Sequence, residues 1–316
     1  MSNIYYICLD VPTPAGGIKV IYQHVEMLCK HGMNASIVHF KEGFRCDWFE
    51  NDVPIRYINT LQPASTDIIV IPAIWSRKLI SFAPRIKKVI INQGAYLTFG
   101  GYPVDNRVVE SPYHHPDVLA TLVVSEDNKR YLQYVFRDLI VRRVRNYIDI
   151  ERFPFTEKKS QQIAFMTRKR YEDVEQVINI LKYRGVLDGY TLAPVNEATE
   201  AQVSEILQES LLFLNFCVEE GWSLPAAEAM SCGCVVIGNH GFGARELLLS
   251  EFSYPVDQHD IIQFARTVED VITRNRLTPN ILNEKSRMGS DFIRNNHTRA
   301  IAEKELMAFW EEFLPG

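Results

Sequence analysis

Short apolar runs alternate with amphipathic stretches along this chain of 316 residues. In the first half the runs predict strands, because each is short and is bounded by polar or glycine-containing segments. These runs lie at 4–9, 35–40, 55–58, 68–71, 89–91 and 122–124. Between the first two, apolar positions at 18, 21, 25 and 28 have the spacing of a helix that ends at Gly32. A strand, a helix and a second strand in succession form a βαβ unit, so the pattern predicts an α/β fold.

The same alternation continues through the second half of the chain. It predicts strands at 162–166, 191–195, 211–216 and 234–238, and helices at 171–183, 199–210, 261–274 and 281–294. The chain closes on an amphipathic helix over 301–313, with Leu306, Phe309, Trp310 and Phe313 on one face. A chain of this length is too long for one typical core and suits two domains.

The stretch from Glu219 to Gly233 lies between the last two predicted strands. Ser223 is a candidate N-cap, Pro225 suits a first helical turn, and Gly233 suits the end of that helix. Glu220 therefore lies in a loop at the carboxyl end of a strand, and Glu228 lies in the helix that follows. Ligands bind at that edge of an open α/β sheet, and the free N–H groups of a helix start can hold a phosphate. Carboxylates can bind the hydroxyls of a sugar, and backbone amides can bind its phosphates, so this combination suits a nucleotide sugar.

The run from Glu220 to Glu228, with Gly221 and Pro225 between them and Ala229-Met230 after, resembles the E-x7-E segment of retaining GT-B glycosyltransferases. An ordinary strand–loop–helix with two solvated glutamates is the alternative, which the full run disfavours. The resemblance implies an α/β fold of two doubly wound Rossmann-like domains facing a cleft. Residues 1–153 would form the N-terminal, acceptor-side domain and 154–298 the nucleotide-sugar-binding domain. The closing helix, 299–316, would pack back on the first domain.

The resemblance also implies roles for residues at the donor side. Glu220 would contact the donor sugar and Glu228 would hold the ribose hydroxyls, while basic residues after the strand at 162–166 would face the diphosphate. Family members often have Arg and then Lys five residues later at this turn, but position 173 here is Asp, so Lys169 or Arg170 must take the second role beside Arg168. Solvated surface is the alternative for this cluster. We expect Glu220, Arg168 and Lys169 to be catalytic, and we expect donor contacts from Glu228, Arg170, Gly16, Gly17, Gly221, Trp222, Ser223, Leu224, Gly241 and Gly243.

Two loops of the first half are candidates for the acceptor side. Gly16-Gly17 is not a G-x-G-x-x-G fingerprint and by itself is more often a turn, but it resembles the Gly-Gly loop that lies over the donor and near the acceptor in the family. The loop 92–102 carries amide, aromatic and glycine residues, which suit a sugar-binding lip; a plain connecting loop is an equally open alternative. We assign Asn92, Gln93 and Tyr96 to the acceptor side.

Charge and composition narrow the partners and the location. Residues 1–155 carry 18 Lys+Arg against 15 Asp+Glu, a net charge of +3, and residues 156–316 carry a net charge of −8. This distribution excludes a broadly basic nucleic-acid binder. The positive charge of the first half is compatible with binding of an anionic acceptor or with a peripheral membrane contact. Six cysteines without a C-x-x-C pair, no signal peptide and no 18-residue apolar run indicate a cytoplasmic protein, working in solution or at the inner face of the membrane.

The expected activity is transfer of a sugar, with retention, from a nucleotide diphosphate sugar to a glycan, lipid or small-molecule acceptor, as in polysaccharide biosynthesis. No cofactor and no metal are expected, because the acidic pairs at 149–151 and 257–260 read as surface rather than as a D-x-D site. A non-catalytic glycan- or nucleotide-binding protein of the same fold is one alternative, which the missing Lys at position 173 favours. A nucleotide-sugar epimerase or hydrolase is another.

Overall fold

A computed structural model describes residues 2–168, 170–278 and 280–314. The chain divides into two compact units, one made of residues 1–146 and 300–316 and the other of residues 147–299. The elements in chain order are β1 (Ile4–Ile7), α1 (Gly16–Lys30), β2 (Ala35–His39), β3 (Ile55–Tyr57), β4 (Ile68–Pro72), α2 (Ser76–Leu79), β5 (Lys87–Asn92), β6 (Val118–Val123), α3 (Glu126–Val135), β7 (Val141–Arg143), β8 (Ser160–Met166), α4 (Tyr171–Tyr183), β9 (Thr191–Val195), α5 (Glu200–Glu209), β10 (Ser210–Cys217), α6 (Leu224–Cys232), β11 (Val235–His240), β12 (Tyr254–Val256), α7 (Ile261–Leu277), α8 (Ile281–Asn296) and α9 (Arg299–Phe313).

In its described part, the first unit holds a parallel seven-stranded sheet of order β3-β2-β1-β4-β5-β6-β7. Two strands away from the sheet edges, β2 and β4, are buried at every residue, as expected where helices cover both faces of a parallel sheet. The strand order reverses between β1 and β4. The loops after these two strands therefore flank the point of the sheet edge where an α/β fold opens for a ligand.

The closing helix α9 belongs to the first unit from residue 300 onward. Trp310 on this helix is fully buried and meets the ring of Tyr6 edge-on, with ring centroids 6.3 Å apart. On its outer side, Arg142 donates two hydrogen bonds to the carboxylate of Glu312. The helix is thus fixed to this unit by both its apolar and its polar face.

The described part of the second unit holds a parallel five-stranded sheet of order β12-β11-β10-β8-β9. Helices α4 and α7 pack against each other, and α6 packs against α5 and α8. The chain starts this sheet at β8, adds β9 on one side and then moves to β10 on the other. The loops after β8 and β10 therefore flank the switch point of this unit, and both contain residues that the sequence singled out.

Helix α6 ends as the sequence predicts. Gly233 follows it with φ +92°, and a Cβ at this position would lie 2.8 Å from the Phe155 ring, so both conformation and space favour glycine. The last carbonyls are buried but paired: those of Ser231, Cys232 and Gly233 accept hydrogen bonds from side chains elsewhere in the unit. The donors are Ser290 Oγ at 3.0 Å, Lys159 Nζ at 2.7 Å and Ser286 Oγ at 2.6 Å, respectively.

Across the described ranges, no helix combines the length and the apolar composition needed to cross a lipid bilayer.

Candidate functional site

Two glutamates lie where β10 leads into α6. Glu220 is half-buried in the loop after the strand, and Glu228 on the helix is 8% exposed. Because α6 begins at Leu224, Glu228 lies at its fifth position, one turn from the helix start. The preceding Glu219 has φ +53°, so the loop turns sharply as it leaves the strand. A loop carboxylate and the helix N-terminus thus follow the carboxyl end of β10, with a second carboxylate one turn into the helix.

A buried polar network holds this loop from below. Asn215, near the end of β10, accepts a hydrogen bond from Ser223 Oγ at 3.2 Å and donates one to the Asn239 carbonyl on β11 at 2.7 Å. Cys217 Sγ donates to Ser223 Oγ at 3.2 Å. Ser223 stands at the N-cap position, as the sequence predicts, but its side chain makes no capping hydrogen bond, because the hydroxyl bonds to Asn215 instead.

The side chains of Trp222, Ser223 and Leu224 are all buried. The Trp222 ring packs on His297 at the end of α8, with centroids 4.8 Å apart, and its Nε1 has no hydrogen-bond partner within the described residues. These three residues, predicted as donor contacts, can therefore offer a ligand their backbone rather than their side chains. The first N–H groups of a helix have no partner inside it, and those of α6 lie at this edge.

The loop after β11 fits directly against the Glu220 loop. Gly243 N–H donates to the Glu220 carbonyl at 3.0 Å. A Cβ on Gly243 would lie 2.5 Å from that oxygen and closer still to the carbonyl of Gly221, and a Cβ on Gly241 would lie 3.0 Å from Glu220 Cβ. The structure thus brings together the predicted residues Glu220, Gly221, Gly241 and Gly243. The glycines are needed first of all for the close approach of the two loops.

The basic residues in the turn after β8 differ in their surroundings. Arg168 is exposed, and among the described residues it has no hydrogen-bond or ion-pair partner; Lys169 lies outside the described residues. Arg170 precedes α4 in the left-handed conformation, with φ +54°. Its Nε and Nη2 donate to the two oxygens of Asp173 at 2.8 and 2.9 Å, and this hydrogen bonding raises the pKa of Arg170 further. One edge of the Arg170 guanidinium is therefore occupied, which limits its predicted contact with a donor phosphate.

In the first unit, Gly17, predicted as a donor contact, lies beside Gln93, which we assigned to the acceptor side. Gln93 Nε2 donates to the Gly17 carbonyl at 3.0 Å, so the loop after β5 is joined to the first turn of α1. Tyr96 is partly exposed and donates its hydroxyl hydrogen bond to Asp127 at 3.0 Å. Gly16 is the first residue of α1, directly before Gly17.

Asn92 does not face an acceptor. It is fully buried, and its Nδ2 donates to the Tyr113 hydroxyl at 2.7 Å while its Oδ1 accepts from Gly94 N–H at 2.9 Å. The side chain thus holds the loop that carries Gln93, and the acceptor-side prediction for Asn92 is wrong.

Sequence reasoning missed a buried chain of polar groups in the first unit. His39, at the end of β2, is fully buried; its Nδ1 lies 2.8 Å from Asp10 Oδ1 and its Nε2 lies 2.7 Å from the Tyr22 hydroxyl. Burial lowers the pKa of His39, although the hydrogen bond to Asp10 acts in the opposite direction. The chain ties the loop after β1 to β2 and to α1. The available signal was Asp10 directly after the first apolar run and the polar His39 within the second.

Within the described ranges, no group of three or more His, Cys, Asp or Glu side chains is arranged to hold a metal ion.

Comparison with known proteins agrees with this geometry. Residues 193–288, which include the Glu220 loop, α6 and the Gly241–Gly243 loop, match the family model described as glycosyl transferases group 1. An alpha-1,6-glucosyltransferase of Actinobacillus pleuropneumoniae serotype 7 (strain AP76) is 25% identical over 252 residues, covering 76% of this chain and 73% of that protein.

Solved structures resemble the chain over nearly its whole length. The pneumococcal O-GlcNAc transferase GtfA, in complex with UDP and GlcNAc, superposes with a TM-score of 0.73 at 9% identity, covering 100% of this chain and 99% of that one. The sucrose-phosphate synthase of Thermosynechococcus elongatus gives a TM-score of 0.71 at 12% identity, covering 99% of both chains. At such identities the likeness shows the fold, which is GT-B. With the group 1 match and the glucosyltransferase relative, the chain is a glycosyltransferase of the GT-B fold.

Proposed function

We propose that this enzyme transfers a hexosyl group, with retention and without a metal ion, from a nucleotide diphosphate sugar to a glycan or lipid-linked acceptor. The observation that carries the proposal is the arrangement of Glu220, Glu228 and the start of α6 at the switch point of the second unit. Two carboxylates can bind sugar hydroxyls there, and the helix start can bind phosphate. The spacing of the two glutamates is that of the E-x7-E glycosyltransferases, and we propose that this enzyme is of that type.

Each group has a physical role in the proposed reaction. The Glu228 carboxylate accepts hydrogen bonds from the ribose hydroxyls, and Glu220 contacts the donor sugar. As the glycosidic bond breaks, negative charge grows on the leaving diphosphate, and the helix start together with Arg168 stabilises it. Since these groups are in place before reaction, they stabilise the transition state without reorganisation.

UDP-glucose is the first donor to test, because the curated relative is a glucosyltransferase and the GtfA complex contains UDP. Its glucose is α-linked, so a retaining enzyme forms an α-glycoside. We expect proton NMR of the product to show the small anomeric coupling of an α-linkage. A β-linked product would refute retention, and the absence of transfer from every nucleotide sugar and acceptor tested would refute the proposed activity.

Metal independence is tested separately. We expect the transfer rate to stay within about twofold of its initial value after treatment with EDTA, because the proposed charge stabilisation comes from protein groups. Complete loss of turnover that Mg²⁺ or Mn²⁺ restores would assign that stabilisation to a metal instead.

We also propose that the first unit docks on an anionic membrane at the inner face, where a lipid-linked acceptor would be found. Exposed apolar side chains lie in the segments that follow β4 and β5; they are Ile74, Leu97, Phe99, Val104 and Val108, with exposed fractions from 41% to 105%. Arg77 lies among them, hydrogen-bonded to the Gly101 carbonyl at 3.2 Å and stacked 4.6 Å from the Tyr102 ring. Apolar side chains with basic neighbours suit insertion between anionic headgroups.

Vesicle sedimentation tests this docking. We expect the enzyme to sediment with vesicles of equal parts phosphatidylglycerol and phosphatidylcholine, and Val104→Asp with Val108→Asp to reduce the bound fraction strongly. Tyr183→Asp, at a side chain 93% exposed on the second unit, is the matched control and should leave binding unchanged. Equal sedimentation of the double variant and wild type would refute this surface as the contact.

A further inference from the structure

Phe242 adopts a backbone conformation that a bulky residue rarely takes. Its φ of +66° and ψ of −59° place it at the centre of a three-residue turn, closed by a hydrogen bond from Gly243 N–H to the Gly241 carbonyl at 2.9 Å. For a side chain of this size a positive φ is a genuine outlier. Such strain persists only where the surroundings enforce it, and it is concentrated at functional sites.

The surroundings of Phe242 enforce this turn and place it beside Glu220. The Phe242 N–H donates to His240 Nδ1 at 3.0 Å. On the other side, Gly243 N–H also reaches the Glu220 carbonyl at 3.0 Å, and Gly241 lies against Glu220 Cβ. Both neighbours of Phe242 are therefore fixed to the loop that carries the proposed sugar-binding glutamate.

The ring itself is not a core side chain. Phe242 is only partly buried, unlike Gly241 and Gly243 on either side, and the guanidinium of the exposed Arg245 lies 5.0 Å from the ring centroid. A partly exposed ring gains less from burial than a core ring does. Packing alone is therefore a poor reason for placing phenylalanine where glycine would relieve the strain.

We propose that Phe242 is a specificity-determining residue whose ring packs on the apolar C–H face of the donor's sugar, beside Glu220. This deepens the proposed function and rests on it. Aromatic rings are rigid, apolar and negative on their faces, which suits the weakly positive C–H face of a pyranose. The strained turn holds the ring at the sugar while the nucleotide is held elsewhere, by Glu228 and the start of α6.

Titration calorimetry with matched ligand pairs tests this assignment. The pairs are UDP with UDP-glucose, UDP with UDP-N-acetylglucosamine, GDP with GDP-mannose and ADP with ADP-glucose, and the pair whose sugar form binds wild type most tightly is used. We expect Phe242→Ala and Phe242→Gly to weaken binding of the nucleotide sugar about three- to tenfold, as for loss of an aromatic contact. The affinity for the nucleotide diphosphate should stay within about twofold of wild type. Phe242→Tyr should keep wild-type affinity for both. Tyr183→Ala, which removes an exposed ring from the end of α4, is the control and should change neither affinity.

Melting temperatures of the same variants test the strain. Phe242→Ala and Phe242→Gly both lack the ring, so their difference isolates the Cβ at a positive φ. We expect the Gly variant to melt higher than the Ala variant, the reverse of the usual order of these two residues.

The outcomes decide the proposal. Unchanged affinity for the nucleotide sugar in the Ala and Gly variants would overturn it. An equal loss of affinity for the nucleotide sugar and for the nucleotide diphosphate would also overturn it, because the ring would then contact the nucleotide. If one of these variants does not fold, the other and Phe242→Tyr give the same decision. Failure of wild type to bind any nucleotide or nucleotide sugar refutes the proposed donor site and this inference with it. Wild-type binding without the expected variant effects refutes only the inference.

Discussion

Replacing Gly243 by alanine is the most direct test of how the two loops of the donor site depend on each other. The added Cβ would lie 2.5 Å from the Glu220 carbonyl oxygen and nearer still to the carbonyl of Gly221. Both neighbours are backbone atoms, so no side chain can rotate away to make room. Ordinary contact begins at 3.4 Å, and the Glu220 loop must therefore move by roughly 1 Å or more. The same movement breaks the hydrogen bond from Gly243 N–H to Glu220.

A shift of this size has a large expected effect on transfer and a smaller one on stability. Misplacing a group by about 1 Å can cost about a hundredfold in rate, which corresponds to about 2.7 kcal/mol. Overpacking at a site that can relax costs about 1–3 kcal/mol of folding stability. We therefore expect Gly243→Ala to lower kcat/KM with the nucleotide sugar about a hundredfold, while the protein still folds and melts a few degrees lower.

The measurement needs a control that adds the same methyl group without a steric conflict. Gly289 lies inside α8, and a Cβ there would make only ordinary contacts, with Met230 and Phe252 at 3.7 Å. Gly289→Ala should leave kcat/KM unchanged and raise the melting temperature, because alanine favours a helix by about 0.5–1 kcal/mol over glycine. A Gly243→Ala enzyme with kcat/KM within threefold of wild type would refute the tight coupling of the two loops.

Three further substitutions test the donor site and its support. Glu228→Gln removes a charged acceptor without a change in volume, so calorimetry should show about ten- to hundredfold weaker binding of the donor nucleotide; unchanged affinity would refute the ribose assignment. Arg168→Ala should lower kcat at least about tenfold at saturating donor and raise KM less, because its contact strengthens as charge builds on the diphosphate; a near-neutral kcat would mean that Arg168 is solvated surface. Ser286→Ala leaves the buried Gly233 carbonyl without its 2.6 Å donor, so the free energy of unfolding should fall by about 1–3 kcal/mol with no change in donor affinity, and an unchanged melting temperature would contradict that pairing.

The sequence was sufficient for most of the fold because the local signals agree with the tertiary structure. The predicted helix at 171–183 and strand at 191–195 coincide with α4 and β9. Strands of a parallel sheet are buried on both faces and appear as apolar runs, while the helices keep a period of 3.6. Strand ends were less certain: the run 4–9 continues two residues beyond β1, since Cys8 and Leu9 already form the loop toward Gly16.

The pairing of individual polar groups could not be read from the sequence. Asn92 stands at a strand end, where polar residues often bind ligands, but Tyr113 approaches it from 21 residues away and takes its amide. Ser223 has the sequence context of a capping residue, but Asn215 on the preceding strand takes its hydroxyl. Residue type and position were therefore informative about which edge carries the site. The partner of each side chain depends on tertiary neighbours that no local pattern encodes.

Asp173 shows how one such pairing changes the chemistry expected of a site. The resemblance led us to expect a second cation near the diphosphate, and the sequence has a carboxylate at that position instead. In the structure this carboxylate takes two hydrogen bonds from Arg170, and the two charges compensate each other. Within the described part of the turn, the uncompensated charge is then that of Arg168. A diphosphate bound here depends on Arg168 and on the N–H groups at the start of α6, and this is why we expect a larger effect from the loss of Arg168 than the basic composition of the turn would suggest.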